Sequence, residues 1–136
     1  MLLFLNRLLP IQLVFVAFLL FTLFSVKMAF CANSQASIDY ERARTAYHSL
    51  LQSKQSMQRR DRWISVIQKF NTIYKKHITS SEAYKAVFTT GGLYEKLYAI
   101  SRRDKDLDEA LKNYQRTIKE FKPGRLTDDA LYRKGD

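Results

Sequence analysis

The chain has 136 residues and a formal net charge of +10, with 23 Lys and Arg against 13 acidic residues. This length holds one small domain besides an N-terminal segment, and excludes a larger assembly of domains. Only four Gly and two Pro are present, and such a composition predicts an all-α protein. The positive charge fits three kinds of anionic partner, which are nucleic acid, anionic lipid and an anionic cell-wall polymer.

The N-terminal segment, residues 1–36, has the order of a secretory signal peptide. Arg7 precedes an uncharged apolar run, residues 8–26, and small polar residues follow it. At about 1.5 Å per residue the run nearly spans a bilayer, so an uncleaved inner-membrane anchor is the alternative. Either reading places residues 37–136 outside the cytoplasm, in the periplasm or otherwise exported. It also argues against nucleic acid as a partner and limits membrane contact to the N-terminal segment.

The remainder of the chain repeats with a period of 44 residues. The segment 60–92 aligns without a gap on the segment 104–136, and apolar residues coincide with apolar residues. Gly91 coincides with Gly135. The shared positions recur at helical spacing, so each half of the unit is predicted to be a helix. We predict these core positions of the repeat: Trp63, Phe70, Tyr74, Gly91, Tyr94, Ala110, Tyr114 and Ile118.

Local signals predict where the helices begin. Asp106, with Glu109 three residues later, has the spacing of a capping box, in which the first side chain caps the helix. Thr127 is predicted to cap the last helix, because two acidic residues follow it in the first turn. These signals and the periodicity predict antiparallel helix pairs stacked as a short solenoid.

The segment from Val87 to Gly124 resembles a tetratricopeptide repeat. Gly91 matches the small residue of its first helix and Tyr94 the aromatic residue three positions later, while Ala110 and Tyr114 match the small and aromatic residues of its second helix. The resemblance implies a concave groove lined by the first helix of each pair. The residues that it places in this groove are Lys85, Phe88, Gly92 and Glu95.

A narrower resemblance covers residues 37–136. The segments "YERARTAYHSLLQS", "QRRDRWISVIQKF", "LYAISRRDKDLDEAL" and "DDALYRKG", together with the signal peptide, resemble the N-terminal helical region of bacterial periplasmic N-acetylmuramoyl-L-alanine amidases of the AMIN-domain type. In that family such repeats precede an AMIN domain and a zinc amidase domain. The resemblance implies a non-catalytic part of a cell-wall enzyme.

Residue patterns for catalysis or cofactor binding are absent from the sequence. It contains two histidines, His48 and His77, without a paired ligand motif, and it has no phosphate-binding loop or CxxC pair. We therefore assign no catalytic, metal or cofactor residue, and leave enzymatic activity to the zinc amidase that the resemblance implies as the parent protein. The basic run Arg59, Arg60 and Arg62 either grips an anionic polymer or forms a solvated turn before a helix.

Two functions follow from these patterns. The first is an exported envelope scaffold that binds a protein partner, an anionic cell-wall polymer or both, as the N-terminal fragment of an amidase. The alternative is a stand-alone periplasmic tetratricopeptide adaptor in outer-membrane assembly or cell division. The stretch "RLTDDALYRKGD" matches the opening of a third repeat, so we expect an incomplete repeat whose last helix frays.

Overall fold

The computed structural model describes residues 35–135. Helices and short turns make up this part of the chain, and no strand occurs in it, which confirms the all-α prediction there. The predicted signal segment lies outside the described residues, except that Gln35 and Ala36 belong to the first helix. The helices are α1 (35–52), α2 (Lys54–Met57), α3 (Arg60–Lys76), α4 (Ser81–Ser101), α5 (Asp104–Glu120) and α6 (Arg125–Lys134).

The helix boundaries repeat with the period of the sequence. Helices α3 and α5 both have 17 residues, and each end of α5 lies 44 positions after the corresponding end of α3. Helix α6 likewise begins 44 positions after the start of α4. Each helix packs against the next one along the chain from α3 to α6, so the units are joined helix to helix.

The larger core lies between α1, α3 and α4. Tyr40 of α1 meets Phe70 of α3 edge to face at 5.7 Å, and Tyr47 lies 6.5 Å from Trp63. Because the early residue of α1 meets the late residue of α3, these two helices run antiparallel. The buried members of this core are Ala43, Leu50, Trp63, Val66, Ile67, Phe70, Ile73, Ala86, Leu93 and Leu97.

A smaller core joins α4, α5 and α6. Its buried members are Ala110, Tyr114 and Ala130, and Phe88 and Ile118 pack against them. The small residues Ala110 of α5 and Ala130 of α6 permit close approach of the helix backbones, and the Tyr114 ring fills space in the same core.

Two side-chain bridges join α3 to α5, one near each end. Arg60 donates two hydrogen bonds to Asp106, at 2.6 and 2.8 Å, and Tyr74 donates one to Glu120 at 2.5 Å. Each bridge joins residues that are 46 positions apart in the sequence, and along each helix the two bridges are separated by 14 residues. The two helices therefore run parallel and in a fixed register, because a slip of one turn would break both bridges together.

Asp106 is the most constrained ionic group of the fold. Its side chain is 2% exposed, and it also accepts a hydrogen bond from Ser101 at 2.6 Å. Burial alone would raise the pKa of this carboxyl, but the hydrogen bonds from Arg60 and Ser101 outweigh burial and lower the pKa below its ordinary value. Asp106 is thus held as a carboxylate that depends on Arg60 for its charge balance.

Both predictions of a capping side chain are wrong. Helix α5 begins at Asp104, and Asp106 turns away from its own helix end to bind Arg60. Helix α6 begins at Arg125, so Thr127 lies within its first turn. There Thr127 is buried, and its backbone N–H donates to the Tyr84 hydroxyl at 2.7 Å. In both cases a distant partner on another helix replaces the local cap.

The last helix, α6, buries one side and exposes the other. Ala130 is fully buried, Leu131 is half-buried, and Tyr132 is 84% exposed. Gly135 ends the helix with φ 86°, and its N–H donates to the carbonyl oxygens of Leu131 and Tyr132. Glycine adopts this left-handed conformation without strain, as is common at helix ends. Fraying of this helix stays a prediction.

The Arg60–Asp106 pair predicts a large difference between two neighbouring arginines. Arg60→Gln leaves the Asp106 carboxylate buried without its cation, and we expect a loss of about 1–3 kcal/mol in the free energy of unfolding, since Arg60 is itself partly exposed. Arg62→Gln removes the same charge from an exposed side chain and should cost less than about 0.5 kcal/mol. Urea unfolding of the full chain, followed by circular dichroism, measures both. Equal midpoints would contradict the structural role of the pair.

Candidate binding cleft

A cleft of about 380 Å³ opens between α1, α4, α5 and α6. Helix α4 supplies most of its wall, from Phe88 to Ala99, at positions that recur on one face of the helix. The other helices contribute one residue each. The lining residues are Tyr47, Phe88, Thr89, Gly92, Leu93, Glu95, Lys96, Ala99, Tyr114 and Arg133.

Gly91 positions the Tyr114 ring at the base of this cleft. A Cβ at position 91 would lie 2.7 Å from Cε1 and 2.9 Å from Cδ1 of Tyr114, which is closer than real Cβ contacts allow. The ring thus packs directly on the α4 backbone. Phe88 packs beside it, with ring centroids 5.7 Å apart. The result is an aromatic floor whose position depends on the missing side chain at residue 91.

A polar chain crosses the cleft from α5 to α6 through Glu95. Tyr114 donates its hydroxyl hydrogen to Glu95 Oε2 at 2.7 Å, and Arg133 donates to both Glu95 oxygens at 3.1 Å. Burial, with the neighbouring Glu95 carboxylate, raises the pKa of Tyr114, so its hydroxyl stays protonated at neutral pH. The Glu95–Arg133 ion pair, which is partly exposed, thus lies beside the aromatic rings of the cleft.

Lys96 adds a free cation to the cleft wall. It is exposed on α4 and forms no ion pair within residues 35–135. With Lys96, the Glu95 carboxylate and the Arg133 guanidinium, the cleft contains charged groups of both signs. The cleft therefore combines aromatic side chains with these charged groups.

The structure brings together three of the four residues predicted for the groove. Phe88, Gly92 and Glu95 line the cleft, whereas Lys85 does not. The Lys85 ammonium lies 5.9 Å from the centroid of the Tyr40 ring and 3.6 Å from Glu82. Lys85 therefore covers the α1–α4 contact outside the cleft.

The predicted repeat core divides into fully and partly buried residues. Trp63 is 2% exposed, and its indole N–H donates to the Met57 carbonyl at 2.8 Å, so it packs inside rather than facing a ligand. Phe70, Gly91, Ala110 and Tyr114 are also buried. The half-buried members are Tyr74, Tyr94 and Ile118.

Seven of the ten lining residues were not predicted for the groove, and two of these seven, Tyr47 and Arg133, come from α1 and α6. Tyr47 comes from α1, whose register against the repeat is loose, and Arg133 comes from the incomplete third repeat. The signal that points to Arg133 is its position on the helix equivalent to α4, which the 44-residue period already assigns to the groove side.

The histidines lie apart from the cleft. His77 ends α3, and its Nε2 lies 3.0 Å from Asp39 Oδ2, which ties the end of α3 to the start of α1. His48 is exposed beside Tyr47. Across residues 35–135 the structure contains no group of three His, Cys, Asp or Glu side chains that could hold a metal ion.

Comparisons with known proteins add no relative to this geometry, since no protein-family model, curated protein or solved structure matches the chain. In the part of the chain that the structure describes, no helix has both the length and the apolar character needed to cross a bilayer. The case for a function therefore depends on the residues of the cleft themselves.

Adjacent glycines of α4 provide a matched pair of variants. Gly91→Ala forces a methyl group into the Tyr114 ring, and we expect a net loss of about 1–3 kcal/mol in the free energy of unfolding, larger than the gain in helix propensity. Gly92→Ala meets only the Tyr114 hydroxyl at 3.7 Å and should be neutral or stabilise by up to about 1 kcal/mol. Thermal melting of both variants tests this contrast. A stabilised Gly91→Ala variant would disprove the close packing at the cleft floor.

Proposed function

We propose that residues 37–136 form a short tetratricopeptide-like solenoid, exported to the cell envelope, that binds a protein partner in the cleft and performs no catalysis itself. The observation that carries the proposal is one cleft whose lining comes from α1, α4 and α6, apart from Tyr114 of α5 at its base. By the resemblance, these are the first helices of successive repeats, and first helices line the groove in which such solenoids bind. The 44-residue recurrence of the helix starts supports the same assignment.

The chemistry of the cleft favours an extended peptide with an apolar anchor. Tyr47 and Phe88, both half-buried in the lining, offer aromatic surface of the kind that is enriched at protein interfaces, and Lys96 stands free beside them. Glu95 already accepts hydrogen bonds from Tyr114 and Arg133, so its orientation is set before a partner binds. A prearranged polar group lowers the entropic cost of binding.

The resemblance favours a place in a peptidoglycan N-acetylmuramoyl-L-alanine amidase, as its helical N-terminal part. The alternative is a stand-alone adaptor in outer-membrane assembly or cell division. The genes beside the coding sequence distinguish the two functions. An adjoining frame that encodes an amidase supports the first, and an unrelated gene supports the second.

Export predicts the side of the membrane on which the helices lie. A phosphatase reporter that is active only outside the cytoplasm, fused after residue 136, should be active in cells. Deletion of the apolar run 8–26 should abolish this activity, because that run is what directs export. Immunoblots of both fusions control for expression. An inactive reporter on the intact, expressed fusion would contradict export.

Partner binding predicts a difference between two substitutions of Gly92. Gly92→Gln projects a long side chain into the cleft and should remove most of the partner captured in cells by a photoreactive residue at position 89. Gly92→Ala leaves the cleft open and should retain capture. A photoreactive residue at Lys105, on the exposed start of α5, serves as the negative position. Equal capture by both Gly92 variants would exclude the cleft as the binding site.

A further inference from the structure

A second groove runs along the outside of α1 and α3 and shares no lining residue with the cleft. It consists of two depressions of about 260 and 190 Å³, and Lys69 lines both of them. Its floor is apolar, formed by residues such as Ala43, Leu50 and Val66. Both depressions lie between the same two helices, and the side chain of Lys69 stands where they adjoin.

Basic residues form a regular row on one wall of this groove. Arg62, Lys69 and Lys76 follow one another at intervals of seven residues on α3. Seven residues are close to two helical turns, so the three cations lie on one face and recur about every 10.5 Å. Arg42 of α1 adds a fourth cation to the other wall.

Within residues 35–135 two of these cations form no ion pair, and the other two form only long ones. Lys69 and Lys76 form no ion pair there, Arg62 lies 3.9 Å from Asp61, and Arg42 lies 3.8 Å from Asp39. Asp39 is the only acid that lines the groove, and it already accepts a hydrogen bond from Gln35 and lies against His77. The row is therefore open to an external anion.

The surrounding sequence concentrates the charge of the whole chain at this place. Residues 35–81, which contain α1, α3 and the turns between them, hold three acids, Asp39, Glu41 and Asp61, and nine of the basic residues. Residues 82–135 contain nine acids and twelve basic residues, so they are closer to balance. Most of the excess charge thus belongs to α1, α3 and the turns between them, and it produces a local positive field.

Hydroxyl groups alternate with the cations. Ser65 and Thr72 stand between successive members of the row, and Ser49 of α1 lines the same depression as Ser65. Thr72 and Ser49 donate to backbone carbonyls of their own helices, which leaves their oxygens free to accept from a ligand hydroxyl. The groove therefore combines charge with hydrogen-bonding groups for a polyhydroxylated chain.

We propose that this groove binds a linear acidic glycan, with carboxylates on the row of Arg62, Lys69 and Lys76. In a two-fold, ribbon-like glycan alternate sugars present their substituents on the same side. Carboxylates on alternate sugars then recur once per disaccharide, a spacing of the same order as the seven residues, about 10.5 Å, between the cations. The apolar floor suits the C–H faces of the sugar rings. This surface is separate from the cleft, so the proposal does not depend on the protein partner proposed above.

Other polyanions fit the groove less well. The space between two packed helices, whose axes lie about 8–10 Å apart, admits a single chain and not a nucleic acid duplex. Single-stranded nucleic acid is held by stacking on aromatic side chains, and none of the residues that line either depression is aromatic. An acidic peptide would need partners for its backbone, which cations and hydroxyls of helices supply poorly.

A direct test uses a fluorescent decamer of β-1,4-linked mannuronate, which forms an extended two-fold ribbon, and the full chain in nonionic detergent. Fluorescence anisotropy should show binding that weakens as salt rises. The groove variant Arg62→Gln, Lys69→Gln, Lys76→Gln should weaken binding about tenfold or more, since three contacts are lost. The control variant Lys105→Gln, Lys119→Gln, Arg125→Gln lowers the net charge equally on exposed positions of α5 and α6 and should change affinity less than about threefold. Circular dichroism verifies that both variants fold.

Several results would overturn the proposal. Absence of binding would refute the proposal. Equal weakening by the groove and control variants would show that net charge alone, and not this groove, determines binding. Tighter binding of single-stranded DNA with the same number of charges would assign the groove to nucleic acid. Weakening by Gly92→Gln would place the glycan in the cleft instead. Because Gly92→Gln affects only the cleft, failure of the glycan groove and failure of the protein cleft give different results.

Discussion

The bidentate contact between Arg60 and Asp106 is the constraint on which the arrangement of the helices depends. It joins the start of α3 to the start of α5, and the Tyr74–Glu120 hydrogen bond joins their ends. Helix α4 packs against both of these helices, so its position follows from theirs. A buried ion pair adds little net stability when compared with a well-packed apolar pair, but it specifies register, because only one alignment satisfies both charges. The stagger of the helices, and with it the cleft, is set by this pair.

The helical periodicity and the 44-residue repeat were sufficient to predict the long helices. The observed long helices lie where the sequence predicts them, because apolar spacing and helix-breaking residues are local properties that can be read from the sequence directly. The capping predictions at Asp106 and Thr127 failed for the opposite reason. Each residue had a plausible local role, but Arg60 and Tyr84 offered partners 46 and 43 positions away. Sequence spacing within one helix carries no information about such partners.

Part of the cleft was predictable from the sequence, and the reasons why the rest was not are also physical. The face of α4 that lines the cleft follows from helical spacing, which groups Phe88, Gly92 and Glu95. Lys85 has the same spacing, but its long side chain reaches the Tyr40 ring instead. Arg133 completes the polar chain from the far side, and only the packing of α6 places it near Glu95. Side chains that choose between two neighbouring helices can be assigned only when the positions of both helices are known.

The uneven distribution of charge has a consequence for how the molecule approaches its surroundings. Nine basic residues and three acids occupy residues 35–81, whereas the rest of the helical region is closer to balance. Such a distribution gives the molecule a permanent electric dipole, and the field of a negatively charged surface exerts a torque on it. The helices α1 and α3 turn towards that surface before any contact is made. A larger fraction of encounters then occurs in the productive orientation. The rate of association also becomes sensitive to ionic strength, because salt at physiological concentration screens the field beyond about 8 Å.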